Sequence, residues 1–254
     1  MKIPIIIYSH SSYSDILKIQ TDYIQNLDFN NKILFINNND ENLNEIYASY
    51  DKIIFYDDKL PYASRVSDCL KVCDFDYFLF SHDIDILLNV NIDFLEKLLD
   101  FIVKEQIDRV DLKYTENVFG KEIIELSNGI KLVKEIIEKD YIYNVNPSIW
   151  KKETLLEIMT EFKDRNYRTI EDLIVQSFCK KYKIFKINTQ TFFKCGYFNC
   201  IREYMFLHIS HNGKFLPLNE NFVTIYNQSY EDISNEYLKI VGKYNLINSN
   251  KWYK

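Results

Sequence analysis

The sequence predicts an α/β protein with a mostly parallel central sheet, helices on both faces and an elaborated C-terminal half. Three observations lead there. Apolar runs of strand length alternate with amphipathic helical stretches through residues 1–115, and such β-α alternation places parallel strands in one sheet with helices covering it. The runs are apolar at consecutive positions, as in Ile3 to Tyr8, which suits strands buried on both faces. Finally, 47% of the 254 residues are hydrophobic and 16% aromatic, enough for one large core without disulfide or metal staples.

The elements follow in order. Ile3 to Tyr8 is the first strand. Ser14 is expected to cap a helix in which Ile16, Ile19, Tyr23, Ile24 and Leu27 share a face. Ile33 to Ile36 is a second strand, followed by a short helical stretch from Leu43 to Tyr50. Lys52 to Tyr56 is a third strand, ending in Asp57 and Asp58. Pro61 opens a helix with Val66, Cys69, Leu70 and Cys73 on one side. Tyr77 to Phe80 is a fourth strand that runs into Ser81-His82-Asp83-Ile84-Asp85. Phe94, Leu95, Leu98, Leu99 and Ile102 mark an amphipathic helix, and Arg109 to Lys113 a further strand.

The second half is less regular. Glu116 to Lys139 is polar, with Gly120 and Gly129 as turn points, and reads as a mobile or acceptor-facing insertion. Asn144 to Trp150 leads into a helix carrying Leu155, Leu156, Ile158, Met159 and Phe162. Thr169 is expected to cap another helix, with Ile170, Leu173, Ile174, Ser177 and Phe178 inward, before a late strand from Ile184 to Ile187. With no internal repeat and no linker rich in Pro, Gly or Ser, one domain spanning 1–254 is expected.

Composition narrows the function. A net charge of −6 argues against a protein that coats nucleic acid, which needs a cationic face for phosphates. Five glycines in all, with neither a dinucleotide fingerprint nor a Walker A loop, disfavour dehydrogenases and P-loop kinases. No run approaches the roughly 18 apolar residues of a membrane span. The apolar N-terminal run turns polar at Ser9 and has no small-residue cleavage site. Together with an odd count of five cysteines, this points to reduced thiols in a cytoplasm, the host's if the chain is viral. The spacing of Cys195 and Cys200 matches no standard zinc knuckle.

In an open α/β sheet, ligands bind beyond the carboxyl ends of the strands. The ends here are Ser9-His10-Ser11, Asp57-Asp58 and His82-Asp83-Ile84-Asp85. Asp83 and Asp85, two residues apart past a buried strand, can offer oxygens to Mg²⁺ or Mn²⁺. The bland alternative is a solvated turn. Arg65, near a helix start, suits a phosphate or an ion pair with Asp57, Asp58 or Asp68. His10 suits a nucleotide contact or a helix cap. Glu171 and Asp172 lie at an expected helix start, where the dipole favours a carboxylate but lowers its basicity unless burial opposes that. His208 and His211 share a face on a helix and oppose each other on a strand. Trp150 suits either a sugar-stacking surface or a buried anchor.

The run Asp57 to Arg65, then Tyr77 to Phe80 and Asp83-Ile84-Asp85, resembles the donor half of GT-A glycosyltransferases, a Rossmann-like fold. Asn146 to Lys152 resembles the segment leading into their acceptor side. Thr169-Ile170-Glu171-Asp172 resembles the Glu-Asp pair that starts the catalytic-base helix of inverting members. The resemblance spans about residues 3–215 through short motifs. It implies a metal-dependent transfer of sugar, with inversion, from a nucleotide sugar (a UDP-sugar is favoured) to a hydroxyl of a glycan, lipid-linked or protein acceptor. Ser9 and His10, by strand-end position, and Asp57, Arg65 and Asp83, within the resembling segments, are expected to hold the donor. By the same resemblance, Asp83 and Asp85, with His208 or His211, bind Mn²⁺ or Mg²⁺. Glu171, as base, and Asp172 are catalytic, and Asn146 and Trp150 face the acceptor. Residues 1–115 form the nucleotide-sugar half and 116–254 the acceptor half. Three alternatives stand beside it. A nucleotidyltransferase of the same topology carries a glycine-rich basic loop, which Ser9-His10-Ser11-Ser12 matches poorly. A metal phosphohydrolase places its His-Asp doublet on a helix, whereas His82-Asp83 follows a strand. A nucleotide-sugar-binding protein without turnover is the third.

Overall fold

The computed structural model describes residues 2–114, 122–126, 130–134, 143–189, 192–195, 198–201, 203–211, 214–215, 223–225 and 230–246. The first half runs β1 (Pro4–Tyr8), α1 (Ser14–Ile24), β2 (Asn31–Ile36), α2 (Asn44–Tyr47), β3 (Lys52–Phe55), α3 (Tyr62–Lys71), β4 (Tyr77–His82), β5 (Asp85–Val90), α4 (Ile92–Lys104) and β6 (Arg109–Tyr114). The second half continues with β7 (Glu122–Glu125), β8 (Ile130–Lys134), β9 (Ser148–Lys151), α5 (Lys152–Glu161), α6 (Leu173–Cys179), β10 (Ile184–Thr189), β11 (Phe192–Cys195), β12 (Phe198–Ile201), β13 (Tyr204–His208), β14 (Ser210–His211), β15 (Lys214–Phe215), β16 (Val223–Ile225) and α7 (Tyr230–Lys243).

The main sheet has nine strands in the order β3-β2-β1-β4-β9-β6-β10-β8-β7. From β3 to β4 every pair is parallel, as is the β6–β10 pair. β9 runs antiparallel to both β4 and β6. The sheet is therefore mostly parallel, as the alternating first half predicts. A second, antiparallel sheet of order β16-β11-β12-β13-β5 joins chain ends far apart in sequence.

Strand alternation divides the core. Ile3, Ile5 and Ile7 point to one face, where Leu95, Leu98, Leu99 and Ile102 of α4 cover them. Ile6 and Tyr8 point to the other, against Val66, Cys69 and Leu70 of α3 and Leu155, Ile158 and Met159 of α5. This is the period-two pattern of a strand meeting the three-to-four spacing of helices. α4 begins where Asn91 accepts a hydrogen bond from the Phe94 N–H, satisfying one of the helix's orphan donors. It is followed by Gln106 at φ 53°.

Three expectations need correction. Ser14 does not cap α1 with its side chain. The chain enters α1 through a 3₁₀ turn at Ser11–Tyr13, whose cap is His10, accepting from the Ser12 N–H. Thr169 does not cap α6 either. The cap is Asp172, because its carboxylate reaches the N–H groups of Ile174 and Val175. The stretch 116–139, expected to be an insertion, instead supplies β7 and β8, which extend the main sheet beyond β10.

A third cluster lies outside the sheet. Ile16 and Ile19 of α1, Ile86 of β5 and Leu207 of β13 pack with Tyr237, Ile240 and Val241 of α7. α7 is also latched to α1 through Asp22, which accepts from Lys243 at 2.8 Å and from the Tyr244 hydroxyl at 2.6 Å. Burial pushes the Asp22 carboxyl up, and these two hydrogen bonds overcome that and hold it below its ordinary 3.8. A depressed carboxylate stabilises the fold above its unfolded pKa and loses that contribution as pH falls through the folded value. Asp22→Asn is therefore expected to cost about 0.2–1 kcal/mol at neutral pH, the range of an exposed pair. The difference from wild type should shrink as melts are taken below pH 3.8. A difference that persists at low pH would sink the latch. No helix among the described residues is long and apolar enough to cross a membrane.

Candidate functional site

The ends of β1, β3 and β4 meet at the carboxyl edge of the main sheet. The Tyr56 hydroxyl donates to Ser9 O at 2.7 Å and the Asp83 N–H to Tyr8 O at 3.0 Å. Beyond them opens a cavity of about 830 Å³, within the range of small-molecule sites. Ser9, His10, Asp58, His82 and Asp83, all at the expected strand ends, line it, and so does Arg65, expected there from its place near a helix start. Tyr62, Tyr167 and Arg168, which the sequence did not single out, line it too.

Arg65 is anchored rather than loose. It donates to Leu60 O at 2.6 Å and to Asp58 O, pairs with the Asp58 carboxylate at 2.9 Å, and lies over the Tyr56 ring at 5.2 Å. His10 Nδ1 accepts from the Ser12 N–H, so Nε2 carries the proton and donates to Asp58 at 3.1 Å. Asp58 thus gathers two basic side chains at the rim. Asp57, the expected donor contact, does not line the cavity. Its carboxylate is exposed and accepts from the Lys59 N–H, because Asp57 opens a turn, its carbonyl accepting from the Leu60 N–H, and its side chain folds onto that turn.

The floor is aromatic. Tyr8 stacks on Tyr56 with centroids 5.2 Å apart and meets Tyr62 edge-on at 5.1 Å. Tyr167 stands edge-on to both Tyr62 and His82. Burial raises the Tyr167 phenol, and Asp85, Glu171 and Asp83, in that order, raise it further. One ring is therefore within electrostatic reach of all three carboxylates.

Asp83 and Asp85 occupy different settings. Asp83 ends the β4 turn, lines the cavity and accepts from the Ser9 hydroxyl at 2.5 Å. Burial pushes its carboxyl up to about 7, although the Ser9 bond opposes this. Asp85 is the first residue of β5 and sits behind, 6% exposed. The β5–β13 register sets it opposite His208, whose Nδ1 lies 2.7 Å from its carboxylate. The His211 side chain lies outside the described residues. Among the described residues, no three His, Cys, Asp or Glu side chains converge to hold a metal. A hard cation that also takes phosphate and water oxygens needs only one or two carboxylates, so the chemistry of this pair fits such an ion.

Glu171 accepts the Val145 N–H at 2.7 Å. Its neighbour Asp172 is spent structurally: one oxygen caps α6 and the other pairs with Arg165 at 2.7 Å. This corrects its assignment as a catalytic group. Trp150 is 1% exposed in β9, beneath the Arg109 guanidinium at 4.7 Å. It is a core anchor, and its burial excludes the expected acceptor contact. Asn146 precedes β9 at the same sheet edge and donates its N–H to Asn144 Oδ1. It does not line the cavity.

Fold and site together define a mixed α/β protein with a ligand-sized pocket at its parallel strand ends. No protein-family profile and no curated protein matches the sequence. Solved structures similar to it include S. aureus TarS 1–349, at 15% identity over 74% of this chain and 60% of that one, with a TM-score of 0.46. A cytidylyltransferase from Leptospira borgpetersenii serovar Hardjo-bovis is 11% identical over 100% and 99% of the two chains, with a TM-score of 0.48. CMP:2-keto-3-deoxy-manno-octonic acid synthetase complexed with CTP is 12% identical over 74% and 90%, with a TM-score of 0.47. This chain thus spans 60% of the length of TarS 1–349. Identities and scores this low leave the chemistry to be read from the site itself.

Proposed function

We propose that this chain is a metal-dependent glycosyltransferase that moves a sugar, with inversion, from a nucleotide-diphosphate donor to an acceptor hydroxyl. A UDP-sugar is the favoured donor and a glycan, lipid-linked or protein hydroxyl the acceptor. One observation supports the reading: Ser9, His10, Arg65 and Asp83, from three separate segments of the chain, line one ligand-sized cavity at the parallel strand ends. Glu171 is tied to that cavity through Val145, whose N–H it accepts and whose carbonyl lies 3.1 Å from the cavity-lining His82.

The roles follow from the chemistry. Ser9, His10 and Arg65 hold the nucleotide part of the donor, with Asp58 ordering both basic side chains. Asp83 and Asp85 hold Mn²⁺ or Mg²⁺, with His208 orienting Asp85. When bound, the ion offsets the negative charge that builds on the departing diphosphate. Glu171 takes the proton from the acceptor hydroxyl as its oxygen attacks the anomeric carbon, and the nucleoside diphosphate leaves with the bonding electrons.

The test uses purified protein with Mn²⁺ and a panel of UDP-, GDP- and CMP-sugars, reading nucleotide release with water or added glycans as acceptor. Glu171→Gln is expected to keep donor binding in calorimetry and to lose about 100-fold in turnover, the scale of general-base catalysis. An unchanged rate removes Glu171 from the role. Pyrophosphate release from CTP or UTP with a sugar phosphate would instead support the nucleotidyltransferase alternative.

A further inference from the structure

The strip Tyr143 to Asn146, which delivers the chain to β9, is gripped residue by residue. Gln176 of α6 takes both polar groups of Tyr143, accepting its N–H and donating to its carbonyl, each at 2.7 Å. Arg109 and Asp111 of β6 take the Asn144 side chain, at 2.6 and 2.7 Å. At Val145 the grip reaches the cavity. His82 Nδ1 lies 3.1 Å from Val145 O, while the Val145 N–H donates to Glu171 at 2.7 Å. Of the residues gripping Tyr143, Asn144 and the Val145 carbonyl, only His82 lines the cavity.

The geometry fixes the ring's proton. A carbonyl oxygen only accepts, so Nδ1 carries the hydrogen and donates to Val145. Nε2, 3.0 Å from the Tyr62 hydroxyl, then accepts from that phenol. Both ring nitrogens are used, and the ring is 3% exposed.

We infer that His82 is a positioning residue: through its Nδ1–H it fixes Val145, and through the Val145 N–H it aims the Glu171 carboxylate. The role rests on the proposed base function of Glu171. Misplacing a reacting group by about 1 Å can cost about 100-fold in rate, so a hold on the base one residue removed has a measurable effect. It should act on turnover, because the bond to Val145 leads to the base.

The experiment compares wild type, His82→Phe, His82→Asn, Glu171→Gln and the double variant His82→Phe/Glu171→Gln in Mn²⁺-dependent hydrolysis of a UDP-sugar. His82→Phe keeps a ring and loses the N–H. It is expected to lower kcat about 10- to 100-fold. His82→Asn keeps an N–H for Val145 O and should recover most of the rate. The double variant should be no slower than Glu171→Gln. A loss in Glu171→Gln alongside full turnover in His82→Phe overturns the positioning role alone. Wild-type turnover in Glu171→Gln overturns the base, and the positioning role with it. ¹⁵N imidazole spectra of the wild-type protein test the hold without any substrate. A pyrrole-type, hydrogen-bearing Nδ1 is expected for His82, and a pyridine-type Nδ1 refutes the hold.

Discussion

Arg109→Met is expected to lower the melting temperature by roughly 6–20 °C. Arg109 and Asp111 are both 0% exposed, 3.6 Å apart. The guanidinium also donates to Ser148 Oγ at 2.7 Å and to Asn144, and it lies over Trp150. Removing one member of such a buried pair typically costs about 3–5 kcal/mol, because the other charge is left uncompensated. Each kcal/mol moves the melting point of a chain this size by about 2–4 °C, which gives the range above. Methionine keeps much of the aliphatic stem, so the loss reports on charge and hydrogen bonding more than on volume. Adding Asp111→Asn should recover part of it, since no bare charge then remains. A single variant melting within about 2 °C of wild type would show that the network does not hold this region together.

The second large effect concerns Asp85. Asp85→Ala is expected to reduce Mn²⁺-dependent donor turnover about 100-fold or more, the scale of losing one preorganised electrostatic contact in a transition state. Folding should survive, because His208, the partner left behind, can stay neutral and leaves no bare charge. His208→Ala should be milder, about 10- to 100-fold, as for groups that orient a metal ligand. Titrating Mn²⁺ against donor hydrolysis in the three proteins checks both statements. Full activity in Asp85→Ala, or activity independent of divalent metal, removes the ion from the proposed chemistry.

The parallel strands were legible because each announces itself locally. Ile3 to Tyr8 is apolar throughout, and the observed strand is Pro4–Tyr8. Leu95, Leu98, Leu99 and Ile102 mark α4 by spacing alone, and all four are buried. Strand-end logic then brought Ser9, His10 and Asp83 to one edge, and all three line the cavity. What stayed hidden depends on partners remote in sequence. Asp85 to Val90 forms β5 because β13 pairs with it some 120 residues later, and no local pattern carries that information. The direction of β9 is likewise a tertiary matter, and so is the burial of Trp150, whose strand is covered on both faces. The cap at Asp172 was missed because Thr169, three positions earlier, is also a residue type that caps helices. Tyr167 is one of 20 tyrosines, and only folding distinguishes it.

The insertion of β9 between β4 and β6 has a consequence for how the chain is made. Residues 77–82 and 109–114 leave the ribosome well before residues 148–151, which must lie between them. Until that segment emerges, β4 has one unpaired edge, and β6, whose partners β9 and β10 both come later, has two. Such edges are templates for wrong pairing with other chains. The nascent protein therefore passes through an interval in which its first half is built but unsealed, and a fragment ending near residue 115 would remain there. The expected boundary near residue 115 therefore runs through one continuous sheet, whose strands come from both sides of it.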